Sequence, residues 1–295
     1  MNAADVMAAT VADLIARMEQ GVELGTLPWH HDGTIGLPHN SITGNVYRGG
    51  NLLTLWFVGD EHGWVSNEWA TFKQWQQIGA TVRKGERGTR LVYWGTLTNT
   101  DTTETTTSED QTETTGKKER RFAKTFVVFN AAQVDGLDLT AAGVTLTVPD
   151  LPAWFAAIPA KIEWAKGRPC YSPSLDRVMM PHPDAFRDLA AMWATLAHEL
   201  GHWTGNPSRL NRTFGQRFGD DAYALEELVA ELCAAITCAV VGIATTFRDD
   251  HAGYLANWCR VLKADPSILW TVAGKAQAAT DHLTTYQTTA SRAAA

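Results

Sequence analysis

Three things are scarce in this sequence: paired cysteines, long apolar runs and net positive charge. The four cysteines include no CxxC pair, which argues against a disulfide framework or a cysteine zinc cluster and favours a reducing compartment. No apolar run is long enough to span a bilayer, and the N-terminus lacks the apolar core of a signal peptide. We therefore expect a cytoplasmic protein without a membrane partner.

The formal net charge of -7 gives the chain no global basic field of the kind that attracts nucleic acids. This lowers the expectation of DNA binding without excluding it, because a local basic face is enough to bind phosphates. The chain has 295 residues, 45% of them hydrophobic and 19% charged. These values are typical of a globular protein with one large or two modest domains.

One segment, residues 96–118, is dominated by Thr, Glu, Asp and Ser and has almost no apolar side chains. Such a segment cannot recover its ordering entropy by burial, so we predict a disordered loop. Its flanks at 88–94 and 122–129 are rich in β-branched and aromatic residues, which predicts two strands joined by this insertion.

A turn bracketed by prolines at 144–152 predicts a boundary between a domain at 1–140 and another at 150–295. The fold class predicted is α+β, with a small mixed domain followed by a mainly helical one. For the first domain, the pattern predicts a helix at 1–21, strands within 42–65 and a helix at 68–77 capped by Ser66 or Asn67. For the second, it predicts helices at 184–204, 222–241, 251–262 and 266–286, and a strand at 176–181.

The strongest chemical signal is the run His198-Glu199-Leu200-Gly201-His202, in an apolar segment that favours a helix. Residues four apart lie on one helix face, so His198 and His202 can direct two imidazole nitrogens at one metal ion. Glu199 would lie beside the ion, where it can take a proton from water and pass it to a leaving group. The preferred divalent ion is zinc, because imidazole and carboxylate ligands suit a borderline-soft metal.

A third ligand is expected downstream. Residues 198–205 begin like the metzincin pattern, but that pattern requires a histidine where this chain has Ser208. Glu227 and Glu231 lie four apart in a second apolar helix, which is the gluzincin arrangement. We predict that Glu227 binds the metal and that Glu231 orients one of the two histidines. The alternative ligands are Glu226, Asp220 and Asp221.

The helical context, the paired carboxylates and the strand predicted at 176–181 together favour a metal site over a chance match. In zincins such a strand is an edge strand that lines the peptide-binding cleft. Two interpretations stay open, because a metal site can be catalytic or can serve structure alone.

The N-terminal half is rich in aromatic and basic residues, with six of the 12 tryptophans and a basic turn at 83–88. Single-stranded nucleic acid is bound by such a mixture, because bases stack on rings, at roughly 1–3 kcal/mol each, while cations pair with phosphates. The alternative is that these rings form the core, and we expect at least half of the tryptophans to do so.

Two series of motifs occur in order along the chain. The N-terminal series is LPW at 27–29, NSITG at 40–44, YRGGN at 47–51, WATFKQ at 69–74, GATVRKGERG at 79–88, VFN at 128–130 and Gln133. The C-terminal series is HELGHWTG at 198–205, RLNR at 209–212 and residues 223–231. With these motifs the chain resembles the ArdC family of antirestriction proteins, which are encoded by plasmids and other mobile elements.

This resemblance implies an N-terminal domain that binds single-stranded DNA without base specificity, and a C-terminal metallopeptidase domain. The implied role is to protect DNA that enters a cell as a single strand during conjugation from host restriction. The candidate DNA-binding residues are Tyr47, Arg48, Asn51, Trp69, Lys73, Arg83, Lys84 and Arg87. Two other interpretations remain: a dedicated metalloprotease acting on a regulatory or restriction-related protein, and a non-enzymatic DNA-binding protein with a structural metal.

Overall fold

The computed structural model describes residues 2–24, 36–98, 119–137, 150–213, 221–243 and 251–293. Its helices and strands, in chain order, are α1 Ala3–Leu24, β1 His39–Asn40, α2 Gly50–Glu61, β2 Glu68–Ala70, α3 Phe72–Gln77, β3 Thr81–Val82, β4 Thr89–Thr98, β5 Glu119–Asn130, β6 Val134–Asp135, α4 Leu151–Ala156, β7 Lys161–Trp164, β8 Cys170–Ser172, β9 Arg177–Met180, α5 Leu189–Thr204, α6 Asp221–Val241, α7 His251–Ala264 and α8 Ser267–Ala293. This mixture of helices and strands confirms the predicted α+β class. None of the helices described is both long and apolar enough to cross a bilayer.

A four-stranded sheet in the order β1-β2-β5-β4 organises the N-terminal half. Its longest feature is the antiparallel hairpin of β4 and β5, which begins at Thr89 opposite Val128 and continues for ten residue pairs. The hairpin confirms the two strands predicted on either side of residues 96–118. The predicted loop begins too early, because its first three residues belong to β4, and residues 99–118 lie outside the described part of the chain.

Residues 42–65 were predicted to form strands, and this prediction is wrong because they contain the helix α2. Leu52 and Leu53 pack into the main core, whereas Leu55 packs with residues of the sheet in a separate cluster. A helix buried on both sides has no polar stripe, so its sequence reads as a continuous apolar run. Periodicity alone cannot distinguish such a run from a buried strand.

The helix predicted at 68–77 also begins too early, because its first three residues form β2. The helix α3 begins after Thr71, whose hydroxyl accepts a hydrogen bond from the backbone amide of Gln74. The side-chain oxygen of Gln74 accepts one from the backbone amide of Thr71 in return. This capping box, rather than Ser66 or Asn67, defines the start of the helix.

The C-terminal half is built on α5 to α8, close to the four predicted helices, with α6 packed against the other three. A small sheet in the order β7-β9-β8 lies beside α5. The strand predicted at 176–181 is β9, but it runs between parallel β7 and antiparallel β8. The prediction of an edge strand there is therefore wrong, and the edges of the described sheet are β7 and β8.

The largest hydrophobic cluster draws residues from both halves of the chain. Val11, Leu14 and Met18 of α1 and Leu52 and Leu53 of α2 pack in the same cluster as the apolar residues of α5, α6 and α8. Helix α1 also packs against α7. The division into domains at 1–140 and 150–295 therefore stays a prediction, and the hydrophobic core does not divide at this boundary.

Candidate metal centre and nucleic-acid face

Helix α5 presents the two histidines one turn apart. The side chain of Asp188 accepts a hydrogen bond from the backbone amide of Ala191 and so caps the helix at its start. The apolar segment that follows is buried and carries His198 and His202, whose ring centroids lie 4.9 Å apart. The spacing read from the sequence therefore produces two imidazoles on one helix face.

Helix α6 brings a carboxylate to the same point. The Nε2 atom of His198 lies 3.5 Å from one oxygen of Glu227, and the Nε2 atom of His202 lies 3.6 Å from the other. One ligand atom from each of these residues lies within 4.8 Å of the other two. The helices can approach this closely because Gly201 faces the backbone of Ala230, where a Cβ atom at position 201 would lie only 3.1 Å from the Ala230 Cα.

Two further carboxylates hold the outer nitrogens of the imidazoles. The Nδ1–H of His198 donates to Glu231 at 3.1 Å, and that of His202 donates to Glu226 at 3.3 Å. With Nδ1 acting as a donor in each ring, Nε2 is the nitrogen that faces Glu227. In the absence of metal a protonated Nε2 donates to Glu227, and on losing that proton it can bind a metal ion, as a ligating histidine does.

The alternative ligands named from the sequence do not join this cluster. Glu226 lies on the far side of His202 and contacts its Nδ1 rather than its Nε2. Asp221 pairs with Arg260 at the start of α6. Asp220 lies outside the described residues. The geometry therefore supports Glu227 as the third ligand among these candidates.

The electrostatics of the cluster fit a cation. Burial lowers the pKa of His202, but its hydrogen bonds with Glu226 and Glu227 outweigh this and raise it to about 10. Burial would raise the pKa of Glu227, yet the hydrogen bonds from the two histidines hold it well below its ordinary value. Positive charge is thus strongly favoured between the imidazoles and the carboxylate. A divalent ion would supply it with the ligand types that zinc and related metals use.

Glu199 lies beside the cluster and toward the small sheet. It is 3% exposed, and its charge contributes to the raised pKa of His202 after the effects of burial and of Glu226 and Glu227. Burial raises the pKa of Cys170 on β8, and the negative charge of Glu199 raises it further. The sheet edge that shares an electrostatic environment with Glu199 is therefore β8, not the strand predicted from the sequence.

Arg212 is a buried member of the cluster that sequence reasoning did not single out. Its guanidinium group donates to both oxygens of Glu226, at 3.0 and 2.7 Å. It also donates to the carbonyl oxygen of Gly201 and the hydroxyl of Thr204 in the last turn of α5. The sequence signal was the RLNR motif, whose second arginine precedes the carboxylate helix, but nothing in the pattern reveals which acid it contacts.

Two of the predicted DNA-binding residues are structural, and those predictions are corrected. Trp69 is 1% exposed and packs against Trp64, so it presents no ring face to a base. Asn51 binds both the backbone amide and the carbonyl of Val92, at 2.9 and 2.7 Å, and so fixes α2 to the edge strand β4. Trp69 is therefore a core residue, and the side chain of half-buried Asn51 is engaged with β4.

Two more of the predicted residues are partly engaged. Arg48 forms an ion pair with Asp281 of α8, at the surface between the two halves. The hydroxyl of Tyr47 accepts a hydrogen bond from Asn40, and burial raises its pKa while that bond lowers it by less. Their contacts are to protein, although Arg48 stays more than half exposed.

The remaining predicted DNA-binding residues lie at the surface. Lys73, Lys84 and Arg87 are exposed on α3 and on the turn between β3 and β4. Arg83 is also exposed, and it pairs with Glu86 at 2.9 Å within this turn. The turn therefore forms a local basic surface despite the negative net charge of the chain.

The hairpin adds an aromatic surface that was not predicted residue by residue. Tyr93 lies opposite Lys124, and Gly95 lies opposite Phe122, so that the side chains of Tyr93, Phe122 and Lys124 share one face. The Tyr93 and Phe122 rings lie 6.3 Å apart, and the Lys124 amine lies 5.0 Å from the Phe122 ring centre. Tyr93 is 56% exposed. The two-residue alternation within the predicted strands was the available signal.

Comparisons with known proteins match both halves. The N-terminal domain of anti-restriction factor ArdC matches residues 4–129, and a zincin-like metallopeptidase domain matches residues 149–275. The uncharacterized protein y4eC of Sinorhizobium fredii is 36% identical over 301 residues, covering 98% of this chain and 94% of that protein. A DNA primase TraC of Escherichia coli is 32% identical, but the match covers 92% of this chain and only 26% of the primase.

Solved structures agree over nearly the full length. The metal-free crystal structure of the antirestriction ArdC protein from plasmid R388 has a TM-score of 0.77 and 36% identity, covering 96% of this chain and 97% of that one. Its Mn(II)-bound structure has a TM-score of 0.75 and 34% identity, covering 95% and 97%. Likeness at this level of identity and coverage is that of one family. The chain therefore belongs to the ArdC antirestriction family, with an ArdC-type N-terminal domain and a zincin-like C-terminal domain.

Proposed function

We propose that this antirestriction protein binds single-stranded DNA through its N-terminal half and holds a divalent ion, preferably zinc, between His198, His202 and Glu227. The single observation that carries the metal proposal is the convergence of two Nε2 atoms on one carboxylate, with both Nδ1 atoms already donating to other carboxylates. The Mn(II)-bound structure of the R388 relative supports a divalent ion of some kind.

The metal test uses purified full-length protein. Elemental analysis and titration with Zn²⁺ are expected to give one ion per chain, with His198→Ala and Glu227→Ala reducing binding to background. Glu199→Gln is the matched control, because it alters a buried carboxylate beside the cluster that is not a proposed ligand. Equal zinc binding by Glu227→Ala and the parent would reject the proposed ligand set.

The DNA proposal is supported by two exposed surfaces of the N-terminal half. The basic turn with Arg83, Lys84 and Arg87 can pair with phosphates, and the hairpin face of Tyr93 and Phe122 can stack bases. Both modes of contact tolerate any base sequence. Neither depends on Trp69 or Asn51.

Fluorescence anisotropy with labelled single strands tests this proposal. Affinity is expected to fall steeply with salt, because each phosphate contact releases counterions. Tyr93→Ala should cost roughly 1–3 kcal/mol if one base is lost from the stack. Trp164→Ala, which removes a partly exposed tryptophan from the C-terminal sheet, should leave affinity unchanged. No binding at low salt would reject the DNA proposal as a whole.

A second candidate function, hydrolysis of a protein, is favoured by Glu199, a buried carboxylate next to His198 whose charge acts on both His202 and Cys170 of β8. A bound divalent ion would supply Lewis acidity to a scissile carbonyl. Glu199 would take a proton from water and deliver it to the leaving amine. The edge strand β8 offers backbone groups that can pair with an extended peptide. The protein substrate would be a regulatory or restriction-related protein.

The variant Glu199→Gln separates this function from the structural alternative. It is expected to keep the metal and to abolish cleavage, and with cleavage any protection of incoming DNA that depends on it. If the variant protects conjugating DNA as well as the parent does, proteolysis is not the mechanism. The remaining interpretation is then a purely structural metal. It predicts that chelation lowers the melting temperature of the protein but leaves DNA binding below that temperature unchanged.

A further inference from the structure

Arg212 connects the last turn of α5 to the first turns of α6 through one guanidinium group. It is 8% exposed and makes four hydrogen bonds, two to Glu226 and two to α5. Both acceptors on α5, the Gly201 carbonyl at 2.7 Å and the Thr204 hydroxyl at 2.8 Å, flank His202 in the sequence. The guanidinium thus binds the helix turn that carries one of the proposed ligands.

Glu226 is shared between that guanidinium and the imidazole. Its Oε1 atom accepts from Arg212 at 2.7 Å and from the Nδ1 of His202 at 3.3 Å, while its Oε2 accepts the second guanidinium hydrogen bond at 3.0 Å. A planar fork that donates to both oxygens fixes the plane of a carboxylate, which a single hydrogen bond does not. The orientation of this carboxylate in turn fixes the orientation of the His202 ring.

We infer that Arg212 and Glu226 form a positioning pair for His202, and that metal affinity at this site depends on Arg212 although it does not contact the metal ligand. The inference rests on the metal site proposed above. Its physical basis is that the hydrogen-bond partner of a metal-binding histidine determines which ring nitrogen faces the metal and how the ring is oriented. Without the fork, the Glu226 carboxylate is free to rotate, and the Nε2 of His202 no longer stays aligned with that of His198 and with Glu227.

The test measures metal affinity rather than activity. Full-length Arg212→Met and Arg212→Lys are titrated with Co²⁺ and Zn²⁺ in competition with a chromophoric chelator. Loss of such an outer contact typically weakens metal binding roughly 10–100-fold. Arg212→Lys keeps the positive charge but lacks the fork, so we expect it to bind metal more weakly than the parent and more tightly than Arg212→Met. The visible spectrum of bound Co²⁺ should also change, because the ligand angle changes.

Arg209 provides the matched control in the same loop. Its side chain packs over the Trp203 ring, donates to the Trp203 carbonyl oxygen in the same turn of α5 and pairs with Asp176, but its hydrogen bonds do not reach Glu226. Arg209→Met should therefore lower the thermal stability of the metal-free protein while leaving metal affinity within about twofold of the parent. Equal loss of affinity in Arg209→Met and Arg212→Met would show a general structural effect and overturn the inference.

A double-mutant cycle identifies the route of the effect. In the Glu226→Gln background, Arg212→Met should weaken metal binding by less than a further twofold, because the arginine acts through this carboxylate. Additive losses would overturn the pairing.

If Arg212→Met does not fold, the comparison of Arg212→Lys with Arg209→Met decides the question. Failure of the parent to bind Co²⁺ or Zn²⁺ would instead reject the proposed metal site, whereas a binding parent with an unaffected Arg212→Met rejects only this inference.

Discussion

The charge state of Glu227 in the ligand cluster depends on its neighbours. Glu227 is 8% exposed, and the two imidazoles are the groups that hold its pKa down. A buried carboxylate of this kind is costly unless a cation compensates it. A metal bound at the proposed site would therefore stabilise the folded chain, because the unfolded chain has no preformed site.

Removal of the metal is expected to lower the melting temperature of the parent protein. An ion at 1,000 times its dissociation constant stabilises the folded state by about 4 kcal/mol. For a chain of this size, that corresponds to roughly 10 °C in the melting temperature. Scanning calorimetry with and without EDTA should show this shift in the parent and in Glu199→Gln. A similar shift in Glu227→Ala would contradict its role as a ligand.

Features of the site that depend on local spacing could be predicted from the sequence, whereas features that depend on contacts between helices could not. The two proposed histidine ligands follow from spacing, because residues four apart lie on one helix face. The pairing of Glu231 with His198 and of Glu226 with Arg212 depends on how two helices cross, which no local pattern encodes. Trp69 and Asn51 were assigned to DNA on residue type, which reveals neither the burial of Trp69 nor the hydrogen bonds of Asn51 to Val92.

At the scale of elements, the contact between α5 and α6 has the tightest constraint at Gly201. A Cβ atom at this position would lie 3.1 Å from the Ala230 Cα and 3.3 Å from its carbonyl oxygen. Backbone atoms of a buried helix cannot rotate away as a side chain can. A larger residue must therefore separate the two helices that carry the three proposed ligands.

We expect Gly201→Val to destabilise the protein by about 1–3 kcal/mol, the usual cost of overpacking, and to weaken metal binding. Gly274→Ala is the control, since it lies in α8 with no atom within 4 Å of the added Cβ. Helix propensity predicts that this control is neutral or stabilised by up to about 1 kcal/mol. Urea denaturation measures both. A Gly201→Val protein as stable as the parent would show that the helices tolerate a wider spacing.

Asp176, in the turn before β9, forms an ion pair with Arg209 in the loop after α5. This ion pair makes the stability of the folded protein depend on pH. A hydrogen bond from Arg209 is the main cause that lowers the pKa of Asp176, and Tyr171 adds a second such bond. Because the pKa of Asp176 is lower in the folded state than in the unfolded state, its ionised form stabilises the fold at any pH above the unfolded-state pKa, near 3.8. This stabilisation is lost as the pH falls through the folded-state pKa. Because the carboxylate is 44% exposed, the contribution is about 1 kcal/mol or less.

Asp176→Asn is therefore expected to be less stable than the parent at neutral pH and to approach it in acid. Asparagine is suited to the positive backbone φ of 46° at this position, so the variant tests charge rather than backbone strain. Urea midpoints between pH 7 and pH 3 provide the measurement. A stability difference that does not change with pH would contradict the assignment.

Long apolar segments and segments of distinctive composition could be predicted. Helix α6 was predicted to within one residue of its start although most of it is buried, because its 21 residues are too many for a strand. The hairpin strands were found from their composition. Helix α2 was missed because it lies between two apolar clusters, so the polar stripe that marks a helix is absent. Gly50, at its first turn, is in close contact with the Trp270 ring of α8, a constraint from another part of the chain.

On the scale of the whole molecule, the two halves share one hydrophobic core and a surface ion pair. Val11, Leu14 and Met18 of α1 are buried among C-terminal helices, and Arg48 pairs with Asp281. The sequence suggested two domains because prolines bracket a polar turn at 144–152. A turn shows where the chain changes direction, but it does not show which apolar faces pack together.

The shared core predicts that neither half is stable alone. Full burial of one large apolar side chain is worth about 1.5–3 kcal/mol, so the five non-aromatic residues of α1 and α2 in this core contribute on the order of 10 kcal/mol. That is comparable with the whole stability of a typical protein, about 5–15 kcal/mol.

Fragments 1–140 and 150–295 expressed separately should therefore lack cooperative unfolding, and should recover it when mixed. In the full chain, loss of bound Co²⁺ absorbance and loss of hydrogen-exchange protection in the β4–β5 hairpin should share one urea midpoint. Two separate midpoints, or a fragment 150–295 as stable as the parent, would show that the halves fold independently.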